Sequence, residues 1–125
     1  MPVSEGFRAF VLEQLNAIGP IATKPMFGAV ALYADDRFFG LIAGDVLYLK
    51  VDGATRVPRE GAGARPFVPY PARPATRSTT HFSVPAAVLE DGDRLLAWAR
   101  ESIEIARAGG GSTKRQRAAA RRPRR

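Results

Sequence analysis

A helical pattern of apolar side chains opens the sequence. Phe7, Val11 and Leu15 are spaced about one turn apart, so they share one face of an α-helix. Ser4 precedes them and can cap the helix, because a serine hydroxyl accepts a hydrogen bond from a free N–H of the first turn. We therefore predict a first helix from Ser4 to about Ala17.

The pattern changes after residue 25, where short β-branched and aromatic runs are separated by turn residues. This arrangement is typical of an antiparallel meander. The five predicted strands are 28–34, 38–43, 46–51, 67–70 and 79–84. Prolines confine the fourth of them to an edge of the sheet, because proline cannot donate to a strand ladder. Residues 52–66, rich in Gly, Pro, Ala and Arg, are predicted to be a loop with a short helical turn near Ala54 to Val57.

Two further helices are predicted after the last strand. Pro85 suits the first position of a short helix through Leu89. Asp91 or Asp93 can cap a longer helix that ends near Ala106. Together the elements predict an α+β fold in two layers, with an antiparallel sheet of about five strands packed against the N- and C-terminal helices.

The strand predicted over 46–51 has two different faces. Leu47 and Leu49 fall on one face, and Tyr48 and Lys50 on the other. We expect the leucines to face the core and Tyr48 and Lys50 to lie on a more exposed face, because antiparallel sheets are often solvated on one side. Tyr48 and Lys50 are therefore candidate residues for contact with a protein partner, although a merely solvated face is the plainer interpretation.

Positive charge is concentrated at the C-terminal end. The 125 residues carry 19 Lys and Arg against 12 Asp and Glu, a formal net charge of +7. Residues 107–125 hold eight of the cations and no acid, which leaves 1–106 close to neutral at −1. We predict one folded domain over 1–106 and a flexible basic tail over 107–125.

The basic tail has no acid of its own to neutralise it, so a polyanion is its natural partner. No aromatic residue is interleaved, so we expect any DNA or RNA binding to be independent of sequence. A solvated tail without a binding role is the plainer alternative. The candidate nucleic-acid-binding residues are Lys114, Arg115, Arg117, Arg121, Arg122, Arg124 and Arg125.

The side chains that common enzymes use are scarce. The chain has no cysteine and one histidine, His81, in a strand-like segment. No G-x-S-x-G elbow presents a serine, and a lone histidine in a strand is more often a packing residue than a general base. Glu90-Asp91-Gly92-Asp93 resembles only part of a calcium loop, and Gly109 to Lys114 has the ingredients of a phosphate loop in the wrong order. We expect no enzyme activity, no cofactor and no metal.

Several motifs along the chain, in order, resemble the TfoX N-terminal domain family. The most specific are Met26-Phe27-Gly28, Phe38-Phe39-Gly40-Leu41-Ile42, Leu47-Tyr48-Leu49-Lys50-Val51-Asp52, and Val88-Leu89-Glu90-Asp91 ahead of Leu95-Leu96-Ala97-Trp98-Ala99. The resemblance covers nearly all of residues 7–106 and implies a two-layer α+β fold. It also implies a relation to regulators of natural competence, which act with the cyclic-AMP receptor protein. No catalytic residues are known for the family, so none are implied here.

Two departures from the family pattern bear on function. Full-length competence regulators carry a second, helical domain where this chain has its basic tail. The segment after Asp52 is broken by proline and glycine where relatives look more helical. The first departure weakens the competence role, and neither changes the expected fold.

We expect a cytoplasmic, non-enzymatic regulatory or adaptor domain. Its body would contact a protein such as a transcription regulator, and its tail would attract nucleic acid. No membrane contact is expected, because no apolar stretch approaches the length needed to cross a bilayer and no secretory signal is present. Two other functions stay open: a stand-alone protein-interaction module, with homodimerisation through a sheet edge, and a small-molecule binder or unrecognised enzyme with a deep polar pocket.

Overall fold

Five antiparallel strands form one sheet whose spatial order follows the chain, β1-β2-β3-β4-β5. The computed structural model describes residues 3–70 and 72–110. The elements are α1 (Glu5–Leu15), β1 (Ala22–Met26), β2 (Ala29–Ala34), β3 (Arg37–Ala43), β4 (Val46–Lys50), α2 (Gly53–Gly61), β5 (His81–Ser83), α3 (Ala86–Leu89) and α4 (Gly92–Ile105). A 3-10 turn at Pro74–Thr76 precedes β5, and a helical turn at Ala106–Gly110 follows α4.

Tight turns connect the first four strands. Asp35 and Asp36 lie between β2 and β3 with φ of 52° and 64°, a conformation that aspartate tolerates better than most residues. Gly44, with φ of 60°, opens the turn between β3 and β4. Gly40, within β3, allows a close approach of neighbouring backbone: a Cβ at this position would lie 2.8 Å from the Tyr48 carbonyl oxygen.

The helices cover one face of the sheet and form the main core with it. The buried members come from α1, β2, β3, β4, α3 and α4; they include Val11, Leu15, Leu32, Phe39, Ile42, Leu47, Leu49, Val88, Leu95, Ala99 and Ile103. Ser4 caps α1 by accepting a hydrogen bond from the Phe7 N–H, and Asp91 caps α4 in the same way through the Arg94 N–H. The α+β fold class predicted from the sequence is confirmed.

A second, smaller apolar cluster lies on the opposite face. Ala29, Leu41 and Ala43 are its buried residues, and Met26, Phe38, Tyr48 and Phe67 pack against them. The segment after α2 runs along the outer side of β5, where the Ser83 N–H donates to the Arg65 carbonyl and the Phe67 N–H to the His81 carbonyl. This second face is therefore covered in part by the chain itself.

Two sequence predictions about these elements are wrong, and one strand was missed. Residues 67–70 form no strand: this part of the chain meets the sheet through an isolated bridge between Pro66 and Phe82 and one hydrogen bond from the Phe67 N–H to the His81 carbonyl. Residues 52–66 contain α2, which starts at a capping box in which Asp52 and Thr55 satisfy each other's backbone N–H groups. The strand β1 was not predicted, because Ala22–Met26 includes a lysine and a proline and lacks alternation. No helix in the described part of the chain is long and apolar enough to cross a membrane.

Candidate functional site

Lys50 and His81 lie opposite each other on β4 and β5, on the second face of the sheet. Both are almost fully buried, with 5% and 6% of their surface exposed. The predicted exposure of Lys50 is therefore wrong. Tyr48, two residues away on the same face, is half-buried, and its ring packs against Phe67 at 4.9 Å. The sequence could place these side chains on one face, but the segment that folds over the face is a tertiary feature.

Burial changes how this face titrates. Burial lowers the pKa of Lys50 and raises the pKa of Tyr48. Burial, and then the neighbouring charge of Lys50, lower the pKa of His81 to about 4. The imidazole is therefore neutral at pH 7 and is a weak base.

Hydroxyl groups hold the His81 ring on one side only. Nδ1 lies 3.0 Å from Thr80 Oγ1, which lies 3.2 Å from Ser78 Oγ. Ser78 Oγ also accepts the backbone N–H of His81 at 3.0 Å. The ring stacks at 4.8 Å on Phe38, and Nε2 is buried with no hydrogen-bond partner among the described residues. Among the described residues the ring nitrogens bond to a hydroxyl and to no carboxylate, so this part of the chain does not assemble a nucleophile, base and acid around His81.

A buried arginine joins α2 to α4. Arg59 is 3% exposed, and its guanidinium donates to Ser102 Oγ at 3.0 Å and to the Trp98 carbonyl at 3.0 Å. It also pairs with Glu101 at 2.7 Å and lies 4.9 Å from the centre of the Trp98 ring. Sequence reasoning missed Arg59, because its segment was predicted to be a loop. Since four of its five donors are aimed at protein atoms and only Nε lacks a partner, we interpret this cluster as structural.

An exposed aromatic residue stands at the β1–β2 turn. Phe27 is 92% exposed and has φ of 51°, which is unusual for a bulky residue. It borders an apolar pocket of about 280 Å³ on the second face of the sheet. The lining residues are Met26, Phe27, Ala29, Phe67, Pro69 and Tyr70. The Met26-Phe27-Gly28 motif marked this place in the sequence, but only the structure shows the exposure of the ring and the pocket beside it.

Arg107 belongs to the folded body, although the sequence interpretation placed it in the tail. Its guanidinium pairs with Glu104 and with Asp35 in the β2–β3 turn, and these hydrogen bonds raise the pKa of Arg107. The other predicted nucleic-acid-binding residues, from Lys114 to Arg125, lie outside the described residues. Within 3–70 and 72–110, no group of three or more His, Asp or Glu side chains is placed to hold a metal ion.

Comparison with known proteins identifies the family. A family model of the TfoX N-terminal domain matches residues 13–106, most of the chain. This match confirms the resemblance seen in the motifs. A search among curated proteins gave no match. The chain belongs to the TfoX N-terminal domain family.

Proposed function

We propose that this protein is a non-enzymatic regulatory or adaptor domain linked to transcription or competence. Its folded body holds a protein partner, and its C-terminal cations attract nucleic acid without regard to sequence. Family membership supports the regulatory role, since the competence regulators share this domain. The proposal that it is not an enzyme is supported by the low basicity of His81 and by the lack of a carboxylate beside its described ring atoms.

The distribution of charge carries the nucleic-acid part of the proposal. Residues 1–113 contain twelve basic and twelve acidic side chains, so the whole formal charge of +7 falls on residues 114–125. Arg107 is already paired with Asp35 and Glu104, and is not counted among the available cations. A cationic segment attached to a neutral body is attracted to phosphate chiefly by release of counterions, a mechanism that does not read bases.

Fluorescence anisotropy with labelled duplex DNA tests this part. We expect the full chain to bind at low salt and to lose affinity steeply as salt rises, with a log–log slope of about −0.9 for each phosphate contacted. Replacing Arg121, Arg122, Arg124 and Arg125 by Gln is expected to flatten that slope. The matched control replaces four exposed arginines of the body, Arg8, Arg65, Arg94 and Arg100, by Gln.

The outcomes separate the tail from the body. Loss of binding in the tail variant alone supports the proposal. No binding by the unaltered chain at low salt, or equal losses in the two variants, overturns the nucleic-acid role of the tail. Affinity capture with the full chain, with and without nuclease, tests the adaptor role, because a transcription regulator held by the body is expected to survive nuclease treatment.

A further inference from the structure

The backbone conformation and the exposure of Phe27 are not explained by a contribution to the stability of the fold. Among the described residues with positive φ, it is the only large apolar one; the others are glycines, Asp35 and Asp36. Phe27 and Gly28, with φ of 51° and 80°, form a two-residue turn of the kind that Asn-Gly fills with least strain. The ring is 92% exposed, so packing does not offset the strain. A strained and exposed aromatic residue indicates a role outside the fold.

The surface beside Phe27 is concave and apolar. The pocket of about 280 Å³ has room for a large apolar side chain. Its floor is continuous with the second cluster, which contains the buried Ala29 and the half-buried Met26 and Phe67. Tyr70 also lines the pocket and is itself 56% exposed. The ring of Phe67, another lining residue, packs on Tyr48.

Positive charge predominates around this surface. No strand contains an acidic residue, and residues 61–89 carry three arginines and no acid. Arg73 is exposed. Its backbone N–H donates to the carbonyl of Tyr70, so Arg73 lies one turn after this pocket residue. Lys24 is exposed on β1, two residues before Met26 and on the same face, with its ammonium 5.0 Å from the centre of the Tyr33 ring. Asp45 lies in the β3–β4 turn, at the same end of the sheet as Phe27. It accepts a hydrogen bond from the Ser4 N–H at the start of α1, on the face of the sheet that the helices cover.

The charge and the shape of this surface indicate which kind of molecule it binds. The chain's own residues 114–125 have the same sign as this surface, so they are repelled. A nucleic-acid base stacks on an open aromatic face, whereas the surface beside Phe27 is a concave apolar pocket. A side chain fits a pocket better than a base does, and acids beside that side chain would meet Lys24 and Arg73.

We propose that the β1–β2 turn and residues 67–70 form a docking surface for a partner protein segment that carries one large apolar side chain between acidic residues. This step rests on the proposed function, because it names the surface by which the adaptor body holds its partner.

Fluorescence anisotropy with synthetic peptides tests the surface on the full chain. The probes are labelled short peptides with a central Phe, Leu or Trp flanked by Glu and Asp, and matched peptides with Lys in place of the acids. We expect the acidic peptides to bind and the basic ones to bind at least tenfold more weakly. In ¹⁵N-labelled protein, the bound peptide is expected to shift the amide signals of residues 26–29, 67, 68 and 70.

The decisive variant is Phe27→Asn, which suits the turn but removes the ring. We expect at least a tenfold loss of peptide affinity, with a midpoint of urea unfolding that is unchanged or higher. Phe10→Asn removes a partly exposed phenylalanine of α1 and serves as control, with peptide binding unchanged. Equal binding by Phe27→Asn, preference for the basic peptides, or no binding by any acidic peptide overturns the docking surface.

Affinity capture separates this inference from the proposed function. A nuclease-resistant partner that is held equally well by the unaltered chain and by Phe27→Asn leaves the adaptor role standing and overturns this surface. Failure of the unaltered chain to hold any protein overturns the adaptor role itself. Loss of the partner in Phe27→Asn, but not in Phe10→Asn, supports both.

Discussion

Arg59 donates a hydrogen bond to Ser102 across the interface between α2 and α4, with Nη1 3.0 Å from Oγ. Ser102 passes the connection on, since its hydroxyl donates to the Lys50 carbonyl at 2.7 Å. Both side chains are buried, so water does not easily replace these contacts. One chain of hydrogen bonds therefore ties α2 to α4 and to the end of β4.

Replacing Arg59 by Lys is expected to destabilise the protein. Lysine keeps the charge but cannot reproduce the forked donors that reach Ser102, Trp98 and Glu101 together. We expect the free energy of unfolding to fall by about 2–4 kcal/mol, the range for breaking a buried hydrogen-bonded charge. Urea unfolding measures the change, and Arg100→Lys on the exposed side of α4 is the matched control. Similar unfolding midpoints for both variants would contradict the structural role of Arg59.

His81 is expected to make stability depend on pH. Its pKa is about 4 in the folded protein and about 6.5 when unfolded, so the unfolded chain binds more protons between these values. Stability is then full above pH 6.5 and is lost as the pH falls towards 4. The total loss is about 3 kcal/mol, of which about 2 kcal/mol appears between pH 8 and pH 5.

His81→Gln isolates this contribution. Because His81 is the only histidine, the variant should show a nearly flat free energy of unfolding between pH 8 and pH 5, before most carboxylates titrate. An NMR titration of the imidazole in the unaltered protein is expected to have its midpoint near 4. A midpoint near 6.5, or an unchanged slope in the variant, would show that the ring is not buried as described.

Gly40→Ala tests the close approach of β3 and β4. The added methyl group would lie 2.8 Å from the Tyr48 carbonyl oxygen and 3.1 Å from Leu49 Cδ2, so the strands must separate. We expect a loss of about 1–3 kcal/mol in the free energy of unfolding, as for overpacking in a core. Gly53→Ala is the control, since nothing lies within 4 Å of its added Cβ at the start of α2. A loss in Gly53→Ala as large as in Gly40→Ala would argue against a specific clash.

Local sequence patterns were sufficient to predict the helices and strands that depend mainly on local interactions. The apolar stripe of α1 and its Ser4 cap gave the first helix, and turn residues separated β2, β3 and β4. In contrast, β1 is a strand because it pairs with β2, with Ala22 opposite Tyr33, although it contains alanine, lysine and proline, which are poor strand formers. The contact that joins α2 to α4 comes from Arg59, whose partner Ser102 is 43 residues away, beyond the reach of any local pattern.

For the candidate site residues too, the sequence shows the local features and not those that depend on tertiary structure. Sequence alternation correctly put Tyr48 and Lys50 on one face, but it shows neither the burial of Lys50 nor the packing of Tyr48 on Phe67. Their role in protein contact stays a prediction. Phe27 belonged to a recognisable motif, yet its backbone conformation and its exposure are properties of the folded turn. The contribution of residues 114–125 was argued from charge alone and stays a prediction.

The ion pair between Arg107 and Asp35 connects the helical turn after α4 to the β2–β3 turn. Asp35 stands at one end of β2 and Phe27 at the other, and six residues of extended strand separate them by about 20 Å. The ion pair therefore holds Arg107 beside the β2–β3 turn, at the end of β2 opposite Phe27. A partner segment bound at the proposed docking surface beside Phe27 would leave this contact between the last described helical turn and the sheet intact.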